Sequence, residues 1–429
     1  MGKYFGTDGI RGKYGDNLDV ELSYKTGRAV AAFFGSGECY IGRDTRVSGP
    51  DIEDALVRGL SDGGMNAVLL GVLPTPAVAH LTIAHKAVCG IMISASHNPP
   101  EYNGIKIFDG FGVKLSEEQE GGIEYYIDNM PRVVDVKGKS RTFEDGKKEY
   151  ADYVVGVIDH DFEGVKVWLD CGYGASGSVA RDIFARLNCN VEVDNCSMRG
   201  EKINAGCGAL HPDYVRNSMR GTDCRVGFSF DGDADRLAVV YDGEILDGDT
   251  VLYNMSKGMK LEDKVVVGTV LSNLALEKKL EEDGLRLLRT AVGDKFICEL
   301  MFRKHYNLGG EQSGHYIIYP AATTGDGIMS ALTFLKTLHR GKNKLDKVIK
   351  LDLCPQKAIA EFAPPSIVYD PGFVALVEKY TAELQGIGRI IARYSGTEPK
   401  VRVMVECSRA ELVDVILKEF KAYINGRKG

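Results

Sequence analysis

The stretch Ala87-Val88-Cys89-Gly90-Ile91-Met92-Ile93-Ser94-Ala95-Ser96-His97-Asn98-Pro99-Pro100-Glu101-Tyr102-Asn103-Gly104-Ile105-Lys106 decides the fold. Its first seven residues form an apolar run that reads as a buried strand. The polar, Pro- and Gly-punctuated remainder must then leave that strand as a loop. In open α/β sheets, ligands sit outside such strand ends. The loop offers a hydroxyl on Ser96, an imidazole on His97 and an ammonium on Lys106. A serine hydroxyl is a poor nucleophile until something activates it or loads it with a transferable group. A Ser/Asn/Pro turn with local side-chain caps accounts for the same residues taken alone. Three other segments favour chemistry.

The first is Phe228-Ser229-Phe230-Asp231-Gly232-Asp233-Ala234-Asp235-Arg236. Alternate side chains of extended or tightly looped chain fall on one side, so Asp231, Asp233 and Asp235 can converge. Convergent anions repel unless a cation neutralises them, and hard oxygen ligands suit Mg²⁺. An EF-hand fails, because Arg236 stands where its glycine is needed and strands flank the loop. A solvated acidic turn would need neither this spacing nor the adjoining arginine. The second is Ala392-Arg393-Tyr394-Ser395-Gly396-Thr397-Glu398-Pro399-Lys400-Val401-Arg402, a turn between two strand-like runs. Two hydroxyls, a glycine and forked arginine donors suit a phosphate dianion; a plain hairpin turn is the competing reading. The third, Gly309-Gly310-Glu311-Gln312-Ser313-Gly314-His315, sets a carboxylate, an amide, a hydroxyl and an imidazole between glycines. Such a set hydrogen-bonds polyols, though a glycine-rich connector reads the same.

Outward from these loops, strand-like runs at 68–73, 87–93, 165–170, 191–194, 265–270 and 285–291 alternate with amphipathic stretches at 51–60, 179–187, 274–282 and 296–303. This predicts α/β units with helices on both faces of mixed sheets, recurring roughly every hundred residues without a visible sequence repeat. The charged tract 132–148 is a candidate linker. Pro364-Pro365 opens a different region, which reads as a small α+β unit. Its last helix is expected to start with a capping box of Ser408 and Glu411 and to bury Leu412, Val415, Ile416 and Phe420.

The 429 residues exceed one core, so about three or four domains are expected. Hydrophobic content of 44% and charged content of 26% are ordinary for a globular chain. A net charge of −7 with pI near 5.7, and scattered Lys and Arg, argue against nucleic-acid binding. No apolar run is long enough to span a membrane. The N-terminus enters a motif at once, leaving no room for a signal peptide, and Gly6 breaks the myristoylation pattern. None of the ten cysteines forms a C-x-x-C pair, which suggests free thiols in the cytoplasm. Cys189, Cys196, Cys207 and Cys224 are spaced too loosely for a convincing zinc site.

Together the four loops resemble the α-D-phosphohexomutase family along the whole chain. Phe5-Gly6-Thr7-Asp8-Gly9-Ile10-Arg11-Gly12 and Gly42-Arg43-Asp44-Thr45-Arg46 add to the match. Lys3-Tyr4, Val292-Gly293-Asp294-Lys295 and Thr323-Thr324-Gly325-Asp326-Gly327 point to the branch that acts on glucosamine phosphates. The glucose- and mannose-phosphate branch usually has His where Asp294 stands, and remains the alternative. Cys207-Gly208-Ala209-Leu210-His211-Pro212 and Tyr394 depart from the pattern.

The resemblance implies three similar α/β domains with mixed sheets and a C-terminal small α+β domain, around a central cleft. Their expected bounds are 1–148 (phosphoserine loop), 149–247 (metal loop), 248–357 (sugar loop) and 358–429 (phosphate loop). It implies interconversion of glucosamine 6-phosphate and glucosamine 1-phosphate, with a hexosamine 1,6-bisphosphate as intermediate and activator, feeding UDP-N-acetylglucosamine synthesis. O1 and O6 of a hexose cannot both face a fixed catalyst in one pose. The phosphoryl group must therefore pass through a covalent carrier while the sugar turns round.

Ser96 would be that carrier. Mg²⁺ would be held by Asp231, Asp233, Asp235 and the Ser96 phosphate. Arg11 and Lys106 would flank the reacting oxygen, with Arg236 beside them. His97 would either orient Ser96 or move a proton. Glu311, Ser313 and His315 would hold sugar hydroxyls. Arg393, Ser395, Gly396, Thr397 and Arg402 would grip the distal phosphate. The expected partner is a phosphorylated hexose or hexosamine, with the protein a monomer or homodimer. A Mg²⁺-dependent phosphatase needs no second phosphate clamp, and a non-catalytic sugar-phosphate binder needs no Ser96–Asp–Lys set.

Overall fold

The computed structural model describes residues 2–6, 8–395 and 399–427. The first unit is a seven-stranded mixed sheet. Its order is Phe5–Gly6, Gly9–Lys13, Tyr102–Asp109, Cys89–Ile93, Glu38–Arg43, Asn66–Val72 and Ser140–Thr142. All five residues of Cys89–Ile93 are buried, because helices cover both faces of the sheet. The tract 132–148, expected as a linker, supplies the edge strand Ser140–Thr142, parallel to Asn66–Val72. It then starts the helix Gly146–Ile158, within which the expected boundary at 149 falls.

The second unit orders its five strands Glu244–Leu246, Leu237–Tyr241, Val226–Phe230, Lys166–Asp170 and Asn190–Asp194. The third has four: Arg286–Thr290, Val265–Thr269, Leu308–Gly310 and Tyr316–Ile318. Both are mixed. One continuous apolar core runs through the first three units, joining Tyr40 and Phe108 to Phe228 and Phe334. At its centre Phe228 meets Phe184 at 5.9 Å and Phe334 at 6.4 Å between ring centroids.

The last unit is different. Its three antiparallel strands, Gln356–Phe362, Lys400–Cys407 and Gly388–Tyr394 in sheet order, enclose a separate core around Phe373, Tyr380 and Phe420. It begins at Gln356, ahead of Pro364-Pro365, and the expected boundary at 358 falls inside that first strand. No described helix is long and apolar enough to cross a membrane.

The final helix corrects two expectations. It runs Ala410–Gly426, with Arg409 as N-cap and no side-chain cap bond. The preceding strand holds pairing through Cys407, and the Ser408 N–H donates to Ile387 O at 2.9 Å, so the helix starts too late for a Ser408–Glu411 box. The buried face is Val413, Ile416, Leu417, Phe420 and Ile424. Val415 is 58% exposed, because the helix rotates the 413/417/420/424 stripe, not 415, onto the sheet.

Candidate functional site: a buried serine against three aspartates

The strand Cys89–Ile93 ends at the Ser96 loop, and Tyr102–Asp109 returns beside it with Met92 opposite Lys106. In the second unit, Val226–Phe230 and Leu237–Tyr241 pair with Phe230 opposite Leu237. That hairpin presents Asp231, Asp233 and Asp235 at its end. The two loops meet. Ser96 Oγ donates to Asp231 Oδ2 at 2.5 Å. Lys106 Nζ donates to Asp233 Oδ2 and Asp235 Oδ2, both at 2.7 Å. All five side chains are buried.

Ser96 itself has φ 51°, a left-handed conformation that costs a serine of order 1–3 kcal/mol. Three oxygen ligand atoms, one from each aspartate, lie within 4.8 Å of one another. Asp233 Oδ1 is buried without a hydrogen-bond partner, and Asp235 Oδ1 faces only the His315 imidazole at 3.2 Å. Three buried carboxylates at that spacing, one with an orphaned oxygen, fit a hard divalent cation such as Mg²⁺. Among the described residues no other His/Cys/Asp/Glu group meets at ligand distance, the four candidate zinc cysteines included.

Electrostatics follow from this burial. Desolvation, with repulsion from Asp235 and Asp233, pushes Asp231 up to about 7 against the pull of Arg236 and the Ser96 hydroxyl. Burial would lower the Lys106 ammonium, but Asp233, Asp235 and Asp8 outweigh it and hold it well above its usual range. His97 Nδ1 stands 3.4 Å from Ser96 Oγ. Burial and the nearby Arg236 and Arg11 hold that imidazole down to about 3, so it is neutral and able to accept a hydrogen bond.

Asp8 was named in the sequence motif without a role. It pairs with Arg11 and lies 3.4 Å from Lys106 and 2.5 Å from Lys114. Lys114 also reaches Asp294 of the third unit at 2.7 Å. Charges of alternating sign thus run from the aspartate loop through Lys106, Asp8 and Lys114 to Asp294. Gly9 opens this arrangement: its φ is 87°, and a Cβ there would sit 2.4 Å from Ile105 O. Lys114 carried no motif, so only the fold reveals it.

The loop 311–315, expected to hold sugar hydroxyls, joins the same cluster. Arg236 and His315 form a backbone bridge, and Leu237 N donates to Gly314 O at 2.9 Å. His315 Nε2 lies 3.2 Å from Asp235 Oδ1, and its Nδ1 3.4 Å from Glu311 Oε2. Burial opposes its charge, yet Asp235 raises it to about 9, so His315 is a cation between two carboxylates. Arg236 Nε is 3.3 Å from the same Nε2. That nitrogen cannot both accept there and donate to Asp235, and the anion favours donation. Glu311 Oε1 accepts from Gly293 N at 2.9 Å, and Ser313 Oγ approaches Glu311 Oε2 at 3.4 Å.

The expected phosphate clamp stands on the last hairpin, where Arg393 lies directly opposite Arg402. Burial, then the Arg402 charge, lowers Arg393. Two guanidinium groups so placed are forked donors of the kind that suits a phosphate dianion. Ser395 is buried, and its N–H donates to Lys400 O at 2.8 Å. Gly396 and Thr397 lie outside the described residues.

Comparison with known proteins agrees with this architecture. Phosphoglucomutase/phosphomannomutase models for α/β/α domains I, II and III match residues 2–132, 148–244 and 247–353, and the C-terminal domain model matches 355–422. The phosphoglucosamine mutase of Finegoldia magna is 42% identical over 456 aligned positions, covering 100% of this chain and 99% of that one. A phosphoglucomutase/phosphomannomutase family protein from Burkholderia thailandensis has the same fold, with a TM-score of 0.79, 23% identity and coverage of 97% and 96%. So has Aspergillus fumigatus N-acetylphosphoglucosamine mutase, solved with GlcNAc-6P and magnesium: TM-score 0.63, 18% identity, coverage 97% and 94%. On this sequence and fold, the chain belongs to the phosphoglucomutase/phosphomannomutase family, the α-D-phosphohexomutases.

Proposed function

We propose that the protein is a phosphoglucosamine mutase that interconverts glucosamine 6-phosphate and glucosamine 1-phosphate, with Ser96 as the phosphoryl carrier. The observation that carries this is the buried contact of Ser96 Oγ with Asp231 at 2.5 Å, beside Lys106. A relative of that name, 42% identical over the full length, supports the choice of sugar.

In the first half-reaction O1 of glucosamine 6-phosphate attacks the phosphorus carried on Ser96. The O1–P bond forms as the Ser96 Oγ–P bond breaks. The hydroxyl proton passes to a base beside the reacting oxygen. Asp233, Asp235 and Asp8 hold Lys106 protonated; with a divalent cation neutralising the aspartates it would lose that pull and could take the proton, which the Arg11 guanidinium could not. Arg11 offsets developing charge. Neutral His97 orients Ser96 Oγ. The resulting 1,6-bisphosphate turns round. Its O6 phosphoryl returns to Ser96, O6 regains a proton, and glucosamine 1-phosphate leaves.

Asp231, Asp233 and Asp235, with an oxygen on Ser96, would hold Mg²⁺, which supplies charge neutralisation for the group in transit. Glu311, Ser313 and His315 would bind sugar hydroxyls in both poses. Arg393, Ser395, Gly396, Thr397 and Arg402 would grip the phosphate not in play. A phosphoserine open to water would hydrolyse, so the last unit would close over the cleft as a lid. Ten free thiols suit a cytoplasmic enzyme.

The test is turnover of glucosamine 6-phosphate, glucose 1-phosphate and mannose 1-phosphate on one phosphorylated preparation. Fastest turnover of the glucosamine ester is expected. Release of inorganic phosphate with no need for bisphosphate would instead make the protein a phosphatase.

A further inference from the structure

The residues that fix the conformation of Ser96 lie outside the loop that carries it. Arg46 is fully buried and turns both terminal nitrogens of its guanidinium onto that loop. Its Nη1 donates to Pro99 O at 2.5 Å and Tyr102 O at 2.8 Å. Its Nη2 donates to Ser96 O at 2.9 Å and Asn98 O at 2.8 Å. Its Nε is anchored on Asp44 Oδ2 at 2.9 Å. The same carboxylate oxygen accepts from Ser94 Oγ at 2.6 Å, and Ser94 Oγ accepts from Ser96 N at 2.8 Å. Both the N–H and the carbonyl of Ser96 are thus tied to one Asp44–Arg46 pair.

The second unit holds that carbonyl too. Asn204 Nδ2 donates to Ser96 O at 2.8 Å and Asn98 O at 3.2 Å. The aspartate loop lies flush against it, since a Cβ on Gly232 would sit 2.6 Å from Ser96 O. Two donors from two units on one carbonyl exceed what a turn needs. They fix the peptide whose left-handed twist aims Oγ at Asp231.

Resting on the reading of Ser96 as phosphoryl carrier, we propose that Arg46 and Asn204 are positioning residues for phosphoryl transfer: they lock the Ser96 carbonyl between the first two units and so set the line of attack on its phosphate. Neither touches the substrate in this role. Displacement of a reacting group by about 1 Å costs up to a hundredfold in rate. Loss of either grip should therefore slow the chemical step and leave sugar binding alone.

The experiment uses full-length Arg46→Lys and Asn204→Gly, the second chosen because glycine accepts the Asn204 φ of 58°. Each is phosphorylated with glucose 1,6-bisphosphate. Single-turnover transfer to glucosamine 6-phosphate is then timed by quench-flow, with KM, thermal unfolding and Mg²⁺ affinity measured alongside. Transfer slowed about tenfold or more, with KM and Mg²⁺ affinity within about twofold and the protein folded, is the expected result. Arg46→Lys should keep more activity than Arg46→Ala. Wild-type transfer rates in a folded Asn204→Gly would overturn the proposal, as would losses in both variants that track unfolding or KM. Failure of the wild type itself to transfer would overturn the carrier reading instead.

Discussion

The first three units and the last are held by different physics. Units one to three share one apolar core, and their loops are cross-braced where they meet. Thr75 of the first unit donates through Oγ1 to Asp233 Oδ2 at 2.5 Å and through its N–H to Asp233 O at 2.9 Å. Thr323 of the third reaches Gly112 O at 2.5 Å. The last unit keeps its own core and docks through polar groups at the base of its hairpin. Glu406 there is fully buried. It accepts from Leu274 N at 2.6 Å and from Arg389 Nε at 2.6 Å, and Arg389 Nη2 reaches Ser272 O at 2.6 Å. The Arg393 turn stands at the opposite end of the same two strands. Ser96 and the aspartates therefore sit in units joined by one core, while the arginines proposed to grip phosphate stand on a unit with a narrow footing. Chemistry wants fixed atoms; turning a bisphosphate round wants a wall that moves.

Four outcomes test that contrast, from the largest to the smallest. Ser96→Ala should abolish turnover, and tandem mass spectrometry of active protein should place one phosphoryl group on Ser96. Phosphate found on Ser94, or a fully active Ala variant, would move the carrier elsewhere.

Next comes the aspartate loop. Asp233→Asn should lower turnover well over tenfold, since metal charge stabilisation is worth several kcal/mol, and excess Mg²⁺ should restore only part of it. Unchanged Mg²⁺ affinity by calorimetry would remove Asp233 from the ligand set.

Arg393→Ala lies on the unit proposed to close as a lid and should behave differently. A charge-assisted forked contact is worth about 2–4 kcal/mol. It would be made in both poses, so its loss should raise KM strongly and lower kcat modestly. A KM unchanged for every hexose phosphate tried would make the turn a plain hairpin.

The smallest effect is expected at the footing. Glu406→Gln keeps an acceptor for Leu274 N but loses the charge facing Arg389, at a cost of about 2 kcal/mol. Calorimetry should show the last unit melting apart from the rest, and bound phosphoenzyme should leak phosphate to water faster. A single unshifted transition would mean that apolar contact, not this pair, seats the lid.

Much of this was legible in the chain. The buried strand at 87–93 and the aspartates at i, i+2 and i+4 needed only local pattern, and the structure places both within a residue or two. The alternation of units was legible for the same reason: apolar runs of strand length are local. What pattern could not give was reach. Thr75, Lys114 and Asn204 act through contacts with residues over a hundred positions away, and no spacing rule encodes such distances. Asp44 and Arg46 were visible as a motif but mute, because a fully buried arginine looks like any other until its carbonyl partners are known. The last helix failed for a subtler reason. Capping chemistry was read from Ser408, but the strand before it had already claimed that residue's N–H, and tertiary pairing overrides a local preference.

The Glu406 carboxylate also bears on the order in which the protein can be made. It supplies the hydrogen bond to the first turn of the helix Leu274–Glu282, although it lies 132 residues further along the chain. A nascent chain leaves the ribosome N-terminus first, so until the final hairpin emerges that N–H is left to water. The four units are thus not four independent folding steps: the last one synthesised completes the one before it.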